Sequence, residues 1–598
     1  MIDLRKLTLE ISLLRSGYRS GDFTPAEVVR EIYRRLAERG KDSVWIHLRS
    51  EEEALEIANR SAQRLDLPLA GIPCAIKDNI DVVGMPTTAG CPAYAYLPEK
   101  SARVVELLEA AGAIVLGKTN MDQFATGLVG TRTPHGPCAS VYNPEYISGG
   151  SSSGSAVAVA AGLVSFSLGT DTAGSGRVPA AFNNIVGLKP TRGVISTSGV
   201  VPACRSLDCV SLFATNVEDA AEVLDLVAGP DTEDPYSREF RDQPIFSRPF
   251  RFGVPQPGQL DFLGDEAAAA LYDQAVARLV EIGGIPVEID LTPFSEAAGL
   301  LYEGPWVAER FSAVGAFIQE HPGETDPTVA KIIGRGSTIS ATETFEGIYK
   351  LESLRQRTLP VWNQIDFLAL PTTPTIYRIT DVLADPITLN SNLGLYTNFV
   401  NLLDLASIAV PAGFRHDGLP LGVSFHAPAF SDFELCEVAK RYLGASEHHR
   451  KRRKTIEEAG GRVELAVVGA HLTGYPLNHQ LVDRGALYVE TVETAPDYAL
   501  FALPGFNPPR PGLVCVGENK GVSIEAEIWS LGERAFGSFV AAVQPPMTIG
   551  TVRLKDGRHV KGFLCEEYRT HGAETISAHG GWRNYLNFLA QQNAAHAA

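Results

Sequence analysis

A stretch rich in serine and glycine, from Gly149 to Gly176, constrains this chain more than any other part of its sequence. Serine and glycine fill 14 of its 28 positions, in two groups that flank an apolar run of alanine and valine. The apolar run predicts a buried helix, which argues against a flexible linker. Two such loops at the ends of one helix can place hydroxyl and backbone N–H groups around a single point. An acyl-transfer site needs both, as a nucleophile and as an oxyanion hole.

A serine nucleophile needs a base, and the sequence offers two kinds. His135 is the histidine nearest to this stretch along the chain, and histidine backed by a carboxylate is the usual base of serine hydrolases. Lys77 ends a short apolar run that begins at Gly71, and this run would bury its ammonium group. Because burial disfavours the charged form and lowers the pKa of a lysine, Lys77 can also accept a proton.

The same stretch contains a rival arrangement. Residues 150–154 match G-x-S-x-G, the nucleophile elbow of the α/β-hydrolases, with Ser152 as the nucleophile. That motif requires a hydrophobic strand directly before it. Residues 142–146, which read Tyr-Asn-Pro-Glu-Tyr, indicate a loop instead. Ser152 is therefore the weaker candidate.

Three motifs taken together resemble those of the amidase signature family. They are Lys77 in Ile-Lys-Asp-Asn, Ser151 after two glycines, and Ser175 in Ala-Gly-Ser-Gly-Arg-Val-Pro-Ala. The resemblance implies a Ser–Ser–Lys triad in which Ser175 is the nucleophile. It further implies that Ser151 is the bridging serine, held by a cis peptide bond, and that Lys77 is the terminal base.

The residues that lead up to the nucleophile form the predicted oxyanion hole. Their successive backbone N–H groups make a suitable nest for a developing negative charge. Asp171 and Arg177 match a buried ion pair of the family, which we interpret as a structural support. The predicted N–H donors are those of Thr172, Ala173, Gly174 and Ser175.

A segment further along the chain narrows the substrate. Tyr302 and Arg310, eight residues apart, resemble a Tyr and Arg pair of the two-domain allophanate hydrolases. Allophanate is a small urea-like amide with a carboxylate, which a bidentate Arg and a Tyr hydroxyl can bind. Gly127 matches the family loop whose backbone carbonyl can hold the substrate NH2 group. The resemblance implies hydrolysis of allophanate to ammonia and carbon dioxide, in urea degradation downstream of a biotin-dependent urea carboxylase.

Charge and cysteine usage exclude several other classes of protein. The net charge of −18 argues against a nucleic-acid partner or an anionic membrane surface. The eight cysteines are scattered without a C-x-x-C pair, which predicts reduced thiols in a cytoplasm and no zinc site. No apolar run is long enough to span a bilayer. We expect a cytoplasmic homodimer that needs no metal and no organic cofactor.

The chain changes character near residue 455. Residues 1–450 alternate helices with short apolar strands and predict an α/β amidase-signature domain, with a mixed central sheet covered by helices. Residues 451–461 are a predicted linker, and the basic run at 448–454 is better interpreted as part of it than as a nucleic-acid or localisation signal. Residues 462–598 predict a smaller C-terminal α+β domain, with a first strand at Arg462 and a hairpin around Asp556-Gly557.

One histidine makes the C-terminal domain a candidate for chemistry. His471 follows a predicted strand and a glycine, a common place for a functional side chain. The resemblance to two-domain allophanate hydrolases implies that this domain hastens decarboxylation of the amidase product, with His471 as proton donor or anion contact. The alternatives are that His471 satisfies a local backbone group and that the domain is a binding or dimerisation module.

Two other functions also fit the sequence. The first is an amidase that acts on another small carboxylated amide. The second is an amidotransferase-type amidase that delivers ammonia to a charged tRNA. An amidotransferase needs partner proteins, and an acidic chain with an extra domain of its own argues against it.

Overall fold

The computed structural model describes residues 4–597 apart from 241–245, 248, 445–461, 483, 485 and 507. The chain forms two compact units, which meet in the sequence after residue 445. The predicted linker at 451–461 and the basic run at 448–454 lie outside the described residues.

A single mixed sheet of eleven strands forms the centre of the first unit. In chain order the strands are β1 (Trp45–Leu48), β2 (Pro73–Lys77), β3 (Ile114–Thr119), β4 (Phe166–Asp171), β5 (Val186–Lys189), β6 (Cys209–Ala214), β7 (Arg251–Pro255), β8 (Ile285–Ile289), β9 (Phe367–Pro371), β10 (Leu405–Phe414) and β11 (Pro420–Pro428). Their order across the sheet is β1-β3-β2-β4-β6-β5-β10-β11-β9-β7-β8. Strand β2 runs parallel to β3 and β4, whereas β4 pairs antiparallel with β6. The predicted mixed sheet is therefore confirmed.

Helices connect and cover these strands, as the fold class predicts. They are α1 (Ile11–Ser20), α2 (Pro25–Arg39), α3 (Glu51–Ser61), α4 (Arg103–Ala110), α5 (Ser153–Ala160), α6 (Val178–Phe182), α7 (Val217–Val227), α8 (Glu266–Glu281), α9 (Thr292–Glu303), α10 (Trp306–Glu320), α11 (Pro327–Gly334), α12 (Ala341–Thr358), α13 (Ile379–Ala384), α14 (Thr388–Leu393), α15 (Phe399–Leu402) and α16 (Asp432–Tyr442). Helix α2 begins in a capping box, in which Thr24 and Glu27 satisfy each other's backbone N–H groups.

The order of the strands explains why two distant loops meet. Because β2 and β4 are parallel neighbours, their C-terminal ends lie at the same edge of the sheet. Strand β2 ends at Lys77 and β4 ends at Asp171. Helix α5 begins directly after the first serine-rich loop and leads into β4, and its residues 153–159 are all buried. Helix α6 begins directly after the second loop, so both loops lie near the end of β2.

The second unit contains two separate sheets, which agrees with the predicted α+β class. Its strands are β12 (Arg462–Val467), β13 (Leu487–Glu493), β14 (Tyr498–Leu503), β15 (Arg510–Cys515), β16 (Glu525–Gly532), β17 (Met547–Arg553), β18 (His559–Cys565) and β19 (Glu574–Thr575), and its helices are α17 (His479–Val482), α18 (Glu533–Ala541) and α19 (Trp582–Ala597). One sheet has the order β13-β16-β12-β18-β17 and the other β15-β14-β19. The predicted strand at Arg462 is β12, and the predicted hairpin is the antiparallel pair of β17 and β18.

Three further properties of the described residues bear on function. None of their helices combines the length and the apolar character that crossing a bilayer requires. They contain no group of three or more His, Cys, Asp and Glu side chains placed to hold a metal ion. All eight cysteines are free thiols, and only Cys515 is exposed.

Candidate active site

The side chain of Lys77 lies fully buried at the end of β2, in contact with two hydroxyl groups. Its Nζ is 2.7 Å from Ser151 Oγ and 2.7 Å from Thr170 Oγ1. The first contact is the one that the Ser–Ser–Lys motif predicts. The sequence motifs do not predict a role for Thr170, the second-last residue of β4, because only the pairing of β2 with β4 brings its hydroxyl to Lys77.

The surroundings of Lys77 favour its neutral form. Burial lowers the pKa of Lys77 to about 7, while the nearby carboxylates of Asp122, Asp171 and Asp208 act in the opposite direction. At neutral pH a large fraction of Lys77 therefore carries no charge and has a lone pair available for a proton. This is the property that a terminal base requires.

Ser151 is held on both sides of its backbone. The Gly150–Ser151 peptide bond is cis, as the resemblance implies. The Ser151 carbonyl accepts a hydrogen bond of 3.1 Å from the backbone N–H of Asp122. The position of the Ser151 hydroxyl at Lys77 is thus fixed by the main chain as well as by the side chain.

The hydroxyl of Ser175 is buried beside the predicted substrate loop. It donates to the Gly127 carbonyl at 3.5 Å, which is the long end of the hydrogen-bond range. Among the described residues it makes no hydrogen bond to Ser151. Transfer of its proton to Ser151 therefore requires the Ser175 side chain to turn away from Gly127.

The backbone N–H groups before Ser175 are not equivalent. Gly174 donates its N–H to Asp171 Oδ1 at 2.9 Å, so this predicted member of the oxyanion hole already has an acceptor. In the described part of the chain, the N–H groups of Thr172, Ala173 and Ser175 have no acceptor. All three residues are buried. Because a buried N–H without a partner is costly, these three groups are suited to a ligand oxygen.

The ion pair that the sequence predicts holds this loop in place. Arg177 donates to both oxygens of Asp171 at 2.9 Å, and both side chains are fully buried. Burial by itself would raise the pKa of Asp171, but the charge and hydrogen bonds of Arg177 keep it below the usual value. Asp171 remains an ionised acceptor for Gly174 and Gly176, which shapes the turn around Ser175.

The predicted substrate anchors lie together near Gly127. Arg310 on α10 is 1% exposed, and its guanidinium carbon lies 5.5 Å from the centre of the Tyr302 ring on α9. Its Nη1 donates to Thr126 Oγ1 at 3.1 Å. Since Thr126 directly precedes Gly127, the fold brings Arg310 to the loop that contacts Ser175. Thr126 was not predicted, because its role depends on the packing of α10 against that loop.

Arg310 lacks the partner that a buried guanidinium normally has. Within the described residues it forms no ion pair with a carboxylate, and its Nε has no hydrogen-bond partner. Buried charges in proteins are almost always paired. The site is therefore electrostatically incomplete, and a ligand carboxylate that binds Arg310 in a bidentate manner would complete it.

The two competing candidates occupy structural positions. Ser152 directly precedes α5, and its hydroxyl forms hydrogen bonds with the carbonyl and N–H groups of Thr170, at 3.2 and 3.3 Å. The elbow motif has no preceding strand, since residues 142–150 belong to none. The imidazole of His135 makes no hydrogen bond to Ser151 or Ser175 in the part of the chain that the structure describes.

His471 lines a separate cavity of about 210 Å³ in the second unit. Its Nε2 lies 3.0 Å from Gln480 Oε1, and its ring stacks on Phe563 with 4.9 Å between centres. Burial lowers the pKa of His471, so the ring is neutral at pH 7. Arg510 lines the same cavity, and its buried Nε has no hydrogen-bond partner among the residues that the structure describes.

Comparison with known proteins places both units in described families. Residues 27–436 match the family Amidase, and residues 463–587 match the family Allophanate hydrolase C-terminal domain. Allophanate hydrolase of Kluyveromyces lactis has a solved structure that is 41% identical, with a TM-score of 0.76 over 98% of this chain and 100% of that chain.

Relatives of two kinds share the first unit. Urea amidolyase of Saccharomyces cerevisiae is 43% identical over 579 residues, which are 92% of this chain and 32% of that protein. The chain thus spans about a third of the length of that relative. A glutamyl-tRNA(Gln) amidotransferase component of Symbiobacterium thermophilum is 37% identical over 67% of this chain and 88% of that protein. The chain therefore belongs to the amidase family and carries an allophanate hydrolase C-terminal domain after its amidase domain.

Proposed function

We propose that this chain hydrolyses allophanate to ammonia and carbon dioxide through a Lys77–Ser151–Ser175 relay. One observation carries the proposal: the buried guanidinium of Arg310 lacks a carboxylate partner among the described residues and contacts the loop that faces Ser175. This arrangement suits a small amide with a carboxylate at a short distance from the reacting carbonyl. The similarity to K. lactis allophanate hydrolase over nearly the whole chain supports the same substrate.

Binding begins at the carboxylate of the substrate. Arg310 and the hydroxyl of Tyr302 bind it, and the Gly127 carbonyl accepts a hydrogen bond from the terminal NH2 group. The terminal amide carbonyl then lies next to Ser175. This orientation converts an encounter into a reactive complex, which accounts for a large share of catalysis in such sites.

Acylation follows the order of the hydrogen bonds. Neutral Lys77 takes the proton of Ser151, Ser151 takes the proton of Ser175, and Ser175 Oγ attacks the amide carbon. The carbonyl oxygen of the attacked amide becomes negatively charged and accepts hydrogen bonds from the N–H groups of Thr172, Ala173 and Ser175. The relay returns the proton to the leaving nitrogen, and ammonia departs.

Deacylation uses the same groups with water as the nucleophile. The relay activates a water molecule, which attacks the ester carbon and releases Ser175. The product carries a carboxylate at each end of one nitrogen, and it loses carbon dioxide to give carbamate. Carbamate then decomposes to ammonia and a second carbon dioxide. Bonds between carbon and oxygen or nitrogen form and break in these steps, but no atom changes its oxidation state, so the scheme needs no redox cofactor.

The second unit is assigned to the decarboxylation step. The cavity that His471 and Arg510 line supports this assignment, because Arg510 can bind a dianion and neutral His471 can exchange a proton through its Nε2. We further propose that the amidase domain spans residues 1–450, that a linker spans 451–461, and that the C-terminal domain spans 462–598. The chain would act as a homodimer, and a biotin-dependent urea carboxylase would supply its allophanate. Eight free thiols favour a cytoplasmic location.

The alternative is an amidase with another substrate. The 37% identity to a glutamyl-tRNA(Gln) amidotransferase component shows that a site of this family also occurs in proteins of that name. In this alternative the C-terminal domain is a non-catalytic assembly module. A carboxylated amide other than allophanate would use the same Arg310 contact, so only a comparison of substrates distinguishes the two proposed functions.

The test is ammonia release by the purified full chain from a panel of small amides. The panel contains allophanate, malonamate, glutamine, acetamide and biuret. We expect fast release from allophanate, slower release from malonamate, which has CH2 in place of NH, and little from the three that lack a nearby carboxylate. Fast release from glutamine with none from allophanate would overturn the proposal in favour of an amidotransferase-type amidase.

A further inference from the structure

Asp122 is a fully buried carboxylate in the loop after β3, and the sequence motifs did not single it out. Its Oδ2 accepts from the N–H groups of Val129 and Gly130 at 3.2 and 3.0 Å, and its Oδ1 accepts from the Arg132 N–H at 2.9 Å. Among the described residues, the hydrogen-bond partners of the carboxylate are N–H donors, which favour its ionised form. Burial raises the pKa of Asp122, and the charge of Arg132 and these three N–H groups act in the opposite direction. One side chain thus closes the loop from 127 to 132 around itself.

The carboxylate also lies against the two backbone segments that form the site. A Cβ atom at Gly127 would come within 2.5 Å of Asp122 Oδ2, and one at Gly150 within 2.1 Å of the same oxygen. Gly127 supplies the carbonyl that contacts the Ser175 hydroxyl. Gly150 begins the cis peptide bond that leads to Ser151. The carboxylate therefore lies against both the loop that contacts Ser175 and the segment that leads to Ser151.

Asp122 is also connected to the site through its backbone N–H and through its charge. Its N–H donates to the Ser151 carbonyl at 3.1 Å. Of the carboxylates that act on Lys77, that of Asp122 has the largest effect and favours the protonated form, ahead of those of Asp171 and Asp208.

The remaining charges around Lys77 are engaged elsewhere. Asp171 is paired with Arg177. On the neighbouring strand β3, the ammonium group of Lys118 lies 3.4 Å from Asp78. Asp208 accepts hydrogen bonds from Thr172 Oγ1 and from the Ala203 N–H. Arg132, whose N–H binds Asp122, directs its guanidinium to the Thr126 carbonyl at 2.9 Å.

We propose that Asp122 is a positioning residue of the amidase site, which holds the Gly127 carbonyl toward Ser175 and the Gly150–Ser151 peptide against Lys77. The inference rests on the proposed Lys77–Ser151–Ser175 relay, but not on allophanate as the substrate. Asp122 acts through these groups and does not touch the reacting atoms. It therefore sets both the rate of acylation and the pH at which the relay becomes active.

Replacement of Asp122 by Asn tests both effects at nearly constant volume. In the variant, an NH2 group replaces one carboxylate oxygen and cannot accept a hydrogen bond from a backbone N–H. The loop from 127 to 132 therefore loses at least one hydrogen bond and shifts. We expect kcat to fall roughly ten- to hundredfold, because small displacements in such sites have effects of that size. The loss of negative charge also lowers the pKa of Lys77, so the acidic limb of kcat/KM moves to lower pH.

A matched control separates positioning from general stability. Asp432 is also fully buried and accepts from the N–H and hydroxyl of Thr191, but it does not act on Lys77. Asp432→Asn should lower the melting temperature and leave the acidic limb in place. If Asp122→Asn does not fold, Asp122→Ala serves, because water in the vacated space can satisfy the N–H groups while the charge is still lost.

The outcomes are distinct. A lower kcat together with a displaced acidic limb, in folded Asp122→Asn or Asp122→Ala enzyme, supports the inference. If the acidic limb of the kcat/KM profile is unchanged in a folded variant, the inference about Asp122 is overturned, whether or not kcat has fallen. If Lys77→Ala and Ser175→Ala retain activity, the proposed relay itself fails. If both are inactive while Asp122→Asn behaves like Asp432→Asn, only the role of Asp122 is lost.

Discussion

The amidase site and the cavity of the C-terminal unit share one feature and differ in the rest. Each contains an arginine that lies beside an aromatic ring and whose buried Nε has no hydrogen-bond partner in the described part of the chain: Arg310 near Tyr302, and Arg510 near Phe506. Each is thus prepared for an anion. In the first site a buried serine, a lysine with a pKa of about 7 and free N–H groups lie within the same edge of one sheet. In the second, His471 contacts an amide and two aromatic rings.

The difference shows that binding an anion and transferring an acyl group require different sets of residues. A guanidinium can hold a carboxylate in either place. Among the described residues, the proposed nucleophile, base and oxyanion hole occur together only in the first place, because β2 and β4 end there side by side, the loop before α5 reaches the same edge, and a second loop follows β4. The second place can assist a reaction that needs no nucleophile, and loss of carbon dioxide is such a reaction.

The largest expected effect comes from removing the relay. Ser175→Ala and Lys77→Ala should each lower ammonia release on the order of 10⁴-fold or more. Because residues of one relay act as a unit, the double variant should be little worse than either single variant. Steady-state ammonia release measures this, with circular dichroism as the check on folding.

Ser152→Ala is the matched serine control for that experiment. Within the described residues its hydroxyl bonds only to the Thr170 backbone, so the variant should keep most of its turnover. An active Ser175→Ala beside an inactive Ser152→Ala would restore the nucleophile-elbow interpretation.

The next effect concerns the two arginines. Arg310→Leu should weaken transition-state binding of allophanate by about 2–5 kcal/mol and lower kcat/KM accordingly, since it leaves the substrate carboxylate without its charged partner. Arg510→Leu, the equivalent change in the other cavity, should leave the first ammonia release intact. Comparison of both variants on allophanate and on acetamide measures the contrast. Equal losses on the charged and the neutral amide would remove Arg310 from its anchoring role.

A smaller effect is expected at His471. His471→Ala in the full chain should leave the first ammonia release unchanged and slow the decay of the carboxylated product by up to about 10²-fold. Carbon-13 NMR of the reaction mixture follows that product directly. Decay at the wild-type rate would favour the alternative that the C-terminal domain is an assembly module. Sedimentation of the full chain would then measure its oligomeric state.

The smallest effect is the pH dependence of the wild-type enzyme. The relay needs neutral Lys77, whose pKa burial lowers to about 7. Below that pH the ammonium form predominates, so kcat/KM should rise with pH up to about 7 and then level off, with about a tenfold loss for each pH unit below the pKa. A profile that is flat between pH 5 and 8 would remove Lys77 as the base.

Part of the site could be predicted because its signals are local in the sequence. Lys77 ends an apolar run, and an apolar helix separates the two loops that hold Ser151 and Ser175. Burial of that run and of that helix follows from hydropathy alone. The 2.7 Å contact between Lys77 and Ser151 agrees with the predicted relay.

Other parts depend on the geometry of a turn or on contacts between distant segments. Gly174 was grouped with its neighbours as an oxyanion donor, yet its N–H is already bound by Asp171. The direction of one N–H within a turn depends on backbone torsion angles that composition does not fix. Thr126 shows the same limit, since it binds Arg310 from 184 positions away.

The sequence by itself determined the α/β class of the first unit and the α+β class of the second, because periodicity specifies these locally, and its short motifs predicted the residues of the proposed relay. Only the tertiary structure decided which N–H groups remain free and that Arg310 is buried without a carboxylate partner in the described chain. It also decided that Asp122 lies between Gly127 and Gly150. The free N–H groups depend on the torsion angles of a single turn, which the residue types do not fix. The setting of Arg310 and the position of Asp122 against Gly150 join separate segments, and they exist only once strand order and close packing have brought those segments into contact.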